Sequence, residues 1–204
     1  MTMARPKTGA RERLLADTVA YVAAHGMGEL SLRDLAAAIG SSPRMLIFHF
    51  GSKEALLVEI VRAIERRQRE FFRQVATAGT GTPVERLRTM WQHLTDPAFA
   101  PYQRLFFELY GQAVQGRPHA TAMLDGLLSD WIDPVADIFE QMGMSPGRAA
   151  QEGRLAIAVA RGLLMDLLAT GDREAMSQAF EGFVSAYNPG GAPRQALNRP
   201  SDEG

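Results

Sequence analysis

The chain has 204 residues, of which 46% are hydrophobic and 22% charged, and its formal net charge is −1. That length holds one ordinary domain or a small one plus a medium one, and the composition excludes disorder throughout. With no cysteine, disulfides and thiolate metal sites are excluded, which agrees with a reducing, cytoplasmic setting.

The charge is unevenly placed. Residues 1–75 carry 12 Lys+Arg against 8 Asp+Glu, whereas residues 76–204 carry 10 against 15. A small positive field at one end attracts phosphate even when the whole molecule is nearly neutral. The basic start MTMARPKTGARER has no apolar run behind it and does not read as a secretory leader. Apolar runs such as Leu155 to Ala160 stop far short of the roughly 20 residues of a membrane span.

In chain order, residues 1–7 read as an arm carrying Arg5 and Lys7, either a solvated tail or a contact to a nucleic-acid backbone. A first helix is predicted from Thr8 to His25, with Leu15, Val19, Val22 and Ala23 on one face and Gly26 ending it. The stretch SLRDLAAAIGSSPRMLIFHFGSK, Ser31 to Lys53, then reads as two short helices joined by a tight turn. Ser31 and Asp34 form a capping-box pattern, Leu32, Leu35, Ala36 and Ile39 share a face, and Gly40 stops the helix. Ser42 caps the second helix, Pro43 suits its first position, and Leu46, His49 and Phe50 share a face up to Gly51. On spacing alone this is either a DNA-binding helix-turn-helix or an ordinary helical hairpin.

A long helix follows to about Thr77, with Leu57, Ile60, Val61, Ile64, Phe71, Phe72 and Val75 as its apolar stripe. Arg62, Arg66, Arg67 and Arg69 on its other side alternate with Glu59, Glu65 and Glu70, as on an exposed charged face; the other reading is a nucleic-acid patch. The break AlaGlyThrGlyThrPro at 78–83 has no phosphate-loop spacing. Helices are then predicted at about 83–94, 101–115, 118–142, 146–170 and 172–187, with Pro134 kinking the third. Strand-like alternation is absent, so the fold is predicted all-α with about nine helices.

The middle helices gather Met90, Trp91, Phe106, Phe107, Tyr110, Met123, Trp131, Phe139 and Met142. These form either a packed core or an adaptable apolar pocket oriented by polar groups such as His93, Tyr110, Gln112 and Asp166. The helix near 146–170 is apolar nearly all round and is expected to be buried on more than one side, with Met176, Phe180, Phe183 and Tyr187 as the stripe of the last helix. From Asn188 the chain turns polar and Pro/Gly-rich, and residues 188–204 read as a disordered tail.

The combination Leu35-Ala36, Gly40, Leu46, Phe48-His49-Phe50, Ser52-Lys53-Glu54 and Leu56-Leu57, within residues 8–60, resembles the tetracycline-repressor (TetR) family of bacterial regulators. The resemblance implies an N-terminal helix-turn-helix DNA-binding head, residues 1–53. It also implies a C-terminal helical ligand-binding and dimerisation domain, residues 54–187, with helix 53–77 connecting the two. It departs from the family at Ile47, where an aromatic residue, often a phosphate-contacting tyrosine, is usual, and at Ser41, usually a valine or similar.

The DNA-contact set that follows is Ser31, Arg33, Ser42, Pro43, Arg44, Ile47, His49 and Lys53. Arg44 is the first choice for base readout, because a guanidinium gives two parallel hydrogen bonds to one guanine edge. Arg33 matches a position that reaches bases in the family, the alternative being a solvated helix charge. Ser31, Ser42 and Lys53 would face phosphates, and His49 would help fix the recognition helix. The ligand set is Trp91, Phe107, Tyr110, Met123, Trp131 and Met165.

The partners expected are a double-stranded DNA operator, a small-molecule effector and a second copy of the chain through residues 146–187, with no membrane and no cofactor. The rival readings are a helical enzyme or an interaction module without DNA binding. No nucleophile elbow, metal motif or phosphate loop is present, and His25, His49, His93 and His119 are scattered.

Overall fold

The computed structural model of the protein describes residues 7–25, 31–124, 126 and 129–187. Gly26, the arm at residues 1–6 and the tail from residue 188 lie outside the described residues. Those described form ten α-helices and two 3₁₀ turns, with no strand among them.

The head contains α1 (Lys7–His25), α2 (Leu32–Ala38) and α3 (Pro43–Phe50). It is joined to the rest by α4 (Lys53–Thr77), which packs against α1 and α3 at one end and against the body at the other. Val19, Val22, Leu35, Ala36, Leu46, Phe50 and Leu56 bury a common core, which holds the two short helices in place although neither would persist alone. Arg11 clamps this unit from α1: its guanidinium lies 5.0 Å from the Phe50 ring centroid and 3.2 Å from the Glu59 carboxylate on α4.

The body consists of α5 (Pro83–Leu94), α6 (Ala100–Val114), α7 (Pro118–Thr121), α8 (Ser129–Gln141), α9 (Pro146–Thr170) and α10 (Arg173–Ser185), with 3₁₀ turns at Pro97–Phe99 and Ala122–Leu124. Thr82 and Glu85 cap α5 reciprocally, the Thr82 Oγ1 accepting from the Glu85 N–H at 3.2 Å. Phe72 and Phe139 are among the largest fully buried side chains.

One expectation is corrected. The helix predicted over 118–142 is not continuous: it stops after Thr121, passes through the turn at Ala122–Leu124 and resumes at Ser129. Gly126 lies in this break with φ +69, a left-handed conformation that suits glycine, whereas Pro134 is accommodated within α8. In the single chain, Leu155, Ala158, Gly162 and Met165 of α9 are exposed along one face. On its opposite side α9 meets α8 closely. At Gly153 an added Cβ would come within 3.2 Å of the Ala136 nitrogen and the Ile132 carbonyl oxygen.

Candidate nucleic-acid interface and body cavity

Local capping chemistry sets the geometry of the head. The Ser31 Oγ accepts from the Asp34 N–H at 3.2 Å, and the Asp34 carboxylate accepts from the Ser31 N–H at 3.3 Å. The Ser31 hydroxyl also donates to that carboxylate, which holds the Asp34 carboxyl below its usual range. Gly40 at φ +65 turns the chain, with the Ser41 N–H returning to the Ala36 carbonyl at 2.8 Å. The Ser42 Oγ then accepts from the Met45 N–H at 3.3 Å and opens α3. Gly51 at φ +84 closes it, its N–H bonding the Ile47 carbonyl at 2.8 Å, and the Ser52 Oγ accepts from the Ala55 N–H at 3.0 Å to start α4.

Helical periodicity sorts the side chains of α3. Leu46 and Phe50 are buried against the head, so the residues on the far side of the helix, Arg44 and Phe48, point away from it one turn apart. Ser31, Arg33, Ser42, Pro43, Arg44 and Ile47 are all exposed, while His49 and Lys53 are half-buried. His49 sits edge-on to Phe48 and Phe50, with ring centroids 5.1 and 6.5 Å apart. The Ser31 hydroxyl is engaged in its own cap, whereas that of Ser42 accepts there and keeps its proton available to donate. Sequence reasoning left Phe48, 66% exposed, and Met45, 42% exposed, out of the contact set. The signal for Phe48 was present, since it follows Arg44 by four positions opposite Leu46 and Phe50.

In the body, α4, α6, α8 and α9, with Leu94 at the end of α5, line a cavity of about 50 Å³. Glu65 is its electrostatic centre. The carboxylate accepts hydrogen bonds from the Tyr102 hydroxyl on α6 and from the Trp131 Nε1 on α8 at 2.6 Å, with Arg69 at 3.8 Å. Burial nevertheless pushes its pKa up, against the pull of those donors and of Arg69 and Arg161. Arg161, on α9, lines the same cavity and lies 5.7 Å from the Tyr110 ring centroid. Burial lowers its own pKa. Gln68 is also on the wall, only 4% exposed, and its Nε2 has no acceptor.

Of the six side chains expected at a ligand, Phe107 and Trp131 line this cavity. Tyr110 stands beside it, stacked on Phe106 at 5.8 Å. Trp91 lies elsewhere, stacked on Phe180 at 4.6 Å beside a cavity of about 30 Å³, and Met123 is buried away from both cavities. Met165 is 55% exposed on the outer face of α9. Of the other polar groups considered, His93 stacks on Phe71 at 4.1 Å with its pKa lowered by burial, Gln112 bonds His119 at 2.7 Å, and Asp166 is exposed. The sequence reading placed Glu65 on a solvated face and did not single out Gln68, Tyr102, Gln103 or Arg161. Yet Val61, Glu65, Gln68 and Phe72 follow one another at helical spacing, which was the available sign that Glu65 shares the buried stripe.

A short capped helix pair beside an all-helical body, with one helix turning an arginine outward, has the form of a helix-turn-helix. The family model described as bacterial regulatory proteins, tetR family, matches residues 14–60, a span that covers most of the head and the start of α4. The similarity to that family rests on this head.

No curated protein matches the chain as a relative. Solved structures share its fold. A TetR transcriptional regulator from Legionella pneumophila aligns at 17% identity and TM-score 0.64, covering 90% of this chain and 97% of the other. A transcriptional regulator from Rhodococcus sp. Rha1 aligns at 18% and 0.69, covering 87% and 95%. A proposed transcriptional regulator from Saccharomonospora viridis, in complex with choline, aligns at 22% and 0.63, covering 87% and 96%. Among the described residues no helix is long and apolar enough to cross a membrane.

Proposed function

We propose that the protein is a homodimeric, ligand-responsive repressor that leaves a palindromic operator when a small, largely apolar molecule enters its body. The observation that carries the DNA half of this reading is the placement of Arg44 on the outward side of α3, opposite the buried Leu46 and Phe50. In a dimer two such helices enter successive major grooves, with half-sites about 34 Å or a multiple apart.

Arg44 reads a guanine, and Phe48 and Ile47 offer apolar surface of the kind that meets a thymine methyl. Arg33 supports readout from α2. Ser42 and Lys53 hold phosphates beside the α3 and α4 N-termini, Pro43 packs at the start of α3, and His49 braces the helix between Phe48 and Phe50. A phosphate contact from Ser31 requires its hydroxyl to exchange Asp34 for the phosphate. The working division is a head of residues 1–53 and a ligand-binding and dimerisation body of residues 54–187.

Dimerisation uses the outer face of α9 and α10. Leu155, Ala158, Gly162 and Met165 are exposed there, and neither Gly162 nor Gly182 has any atom within 4 Å of an added Cβ, so a second helix pair can approach closely. The complex of the Saccharomonospora viridis protein with choline supports a small-molecule effector for a body of this fold. A ligand weakens DNA binding by its differential affinity for the two head placements and by no more.

The test is selection of binding sites from random DNA, followed by fluorescence anisotropy on the selected duplex and a scrambled one at two salt concentrations. Specific, salt-sensitive binding that Arg44→Ala relaxes supports the reading. Failure of the selection to enrich any sequence refutes it, and turnover of a small molecule by the purified protein would favour an enzyme.

A further inference from the structure

We infer that α3 reads its operator through the 5-methyl groups of pyrimidines, with Phe48 as the specificity-determining side chain, and that the methyl it meets lies within two base pairs of the guanine held by Arg44. This rests on the DNA-binding reading above and adds which chemical group of the operator is recognised.

The first observation is what α3 lacks. Of its eight residues, PRMLIFHF, only Arg44 and His49 have side chains that carry an N–H or O–H. His49 is half-buried and edge-on to Phe48 and Phe50, which leaves Arg44 as the outward hydrogen-bonding group. Base pairs in the major groove are told apart by their donors and acceptors and by the thymine methyl. One guanidinium specifies one guanine, so further discrimination by this helix has to come from the methyl.

The second is what α3 exposes. Met45, Ile47 and Phe48 are 42%, 41% and 66% exposed, and they are three of the seven large apolar side chains exposed among the described residues. Leu155 and Met165 have the proposed dimer face to cover them, whereas the chain itself leaves the α3 patch open. A cluster of exposed apolar side chains marks a surface that meets a partner. A polar base edge is a poor match, since an aromatic ring pressed on it strips water from donors and acceptors and returns no hydrogen bond. The C5-methyl is the apolar group that the major groove presents.

The third is register. Phe48 follows Arg44 by four residues, so the two side chains leave the same side of the helix about 6 Å apart along its axis. Successive base pairs are about 3.4 Å apart, so that span covers at most two steps. The buried Leu46 and Phe50 fix the rotation of the helix, so Phe48 faces the groove that Arg44 enters. Thymine and 5-methylcytosine carry the same methyl at the same place in that groove, and either satisfies the site.

The experiment is fluorescence anisotropy with the full chain on the duplex enriched from random DNA. The Arg44 guanine is located as the one whose replacement weakens wild type but not Arg44→Ala. Each thymine within two base pairs of it, on either strand, is then replaced by deoxyuridine, which removes the methyl and nothing else. Wild type is expected to lose about fourfold in affinity at one or more of these positions, the value of one buried methyl. Phe48→Ala is expected to bind less tightly and to make no distinction between thymine and deoxyuridine, while Phe48→Leu keeps the distinction because it keeps apolar surface. Phe48 is largely exposed, so neither substitution reaches the core, and unchanged circular dichroism checks this. Cytosine and 5-methylcytosine at the same position separate the two sources: tighter binding of the methylated base supports both as ligands, and equal binding supports thymine alone. Deoxyuridine that binds as tightly as thymine at every such position, a Phe48→Ala protein that keeps the wild-type preference, or an enriched duplex with no guanine that depends on Arg44 overturns the inference. Specific binding without methyl dependence refutes the methyl reading alone, and a selection that enriches no sequence refutes the regulator.

Discussion

Replacing Tyr102 with phenylalanine tests whether Glu65 pins the connector helix to the body. Tyr102 is buried, and its hydroxyl donates to one carboxylate oxygen of Glu65 while the Trp131 Nε1 donates to the other. The substitution keeps the ring, and with it the packing on Phe106, so only the hydrogen bond is lost. A bond to an ionised acceptor contributes about 1.5–3 kcal/mol. For a chain of this size that is a fall in melting temperature of roughly 3–12 °C at a pH where Glu65 is ionised.

The pH dependence has a definite sign. Burial raises the Glu65 pKa in the folded state, so between the unfolded value and the folded one the native protein binds the proton more tightly. This group's contribution to stability therefore declines as pH rises through that window. Removing the Tyr102 donor raises the folded value further and widens the window, so the penalty should be larger at about pH 8 than at about pH 5. Thermal unfolding followed by circular dichroism reads both. A penalty below about 1 °C, or one of equal size at the two pH values, would refute the idea that the hydroxyl stabilises a charged Glu65.

Gly153→Ala should destabilise by about 1–3 kcal/mol despite alanine's better helix propensity, because the methyl meets α8 backbone, and urea unfolding measures it. Gly162→Ala meets nothing in the single chain, so it should leave the monomer unharmed; Gly162→Glu should shift the protein toward monomer in sedimentation velocity, and an unchanged dimer would remove α9 from the interface. Ser52→Ala removes the cap that starts α4 and should cost about 1 kcal/mol, read as a lower urea midpoint. Arg44→Ala should lower discrimination between selected and guanine-substituted operator by about 1–3 kcal/mol, whereas Lys53→Ala should weaken binding to every duplex and flatten the salt dependence, both read by anisotropy.

The head was legible because its determinants are local. Ser31, Gly40, Ser42, Pro43, Gly51 and Ser52 each act within four residues of themselves, so the two short helices and their turn could be placed from the chain alone. The body was legible as helices, but its interruption was not: Gly126 gives the same sequence signal as a glycine tolerated inside a helix, and Pro134 drew attention to the wrong place. The site was the least legible part. Glu65 looks solvated because its sequence neighbours Arg66 and Arg67 are, and only the arrival of Tyr102 and Trp131 from 37 and 66 positions away makes it a buried acceptor. Met165 misled in the opposite direction, since an apolar side chain on an apolar helix gives no sign of which face looks outward.

The length of α4 on the head side of Glu65 sets how far a change in the body is magnified. Thirteen residues separate Glu65 from Ser52, about 20 Å of helix, so a tilt of about 5° around the Glu65 anchor carries the start of α4 through about 1.7 Å. In the proposed dimer the two heads would move in opposite senses, and their separation would change by about 3.5 Å, close to the 3.4 Å rise of one base pair. A rearrangement within the cavity too small to break any packed layer would thus suffice to put one recognition helix a full base step out of register with its partner.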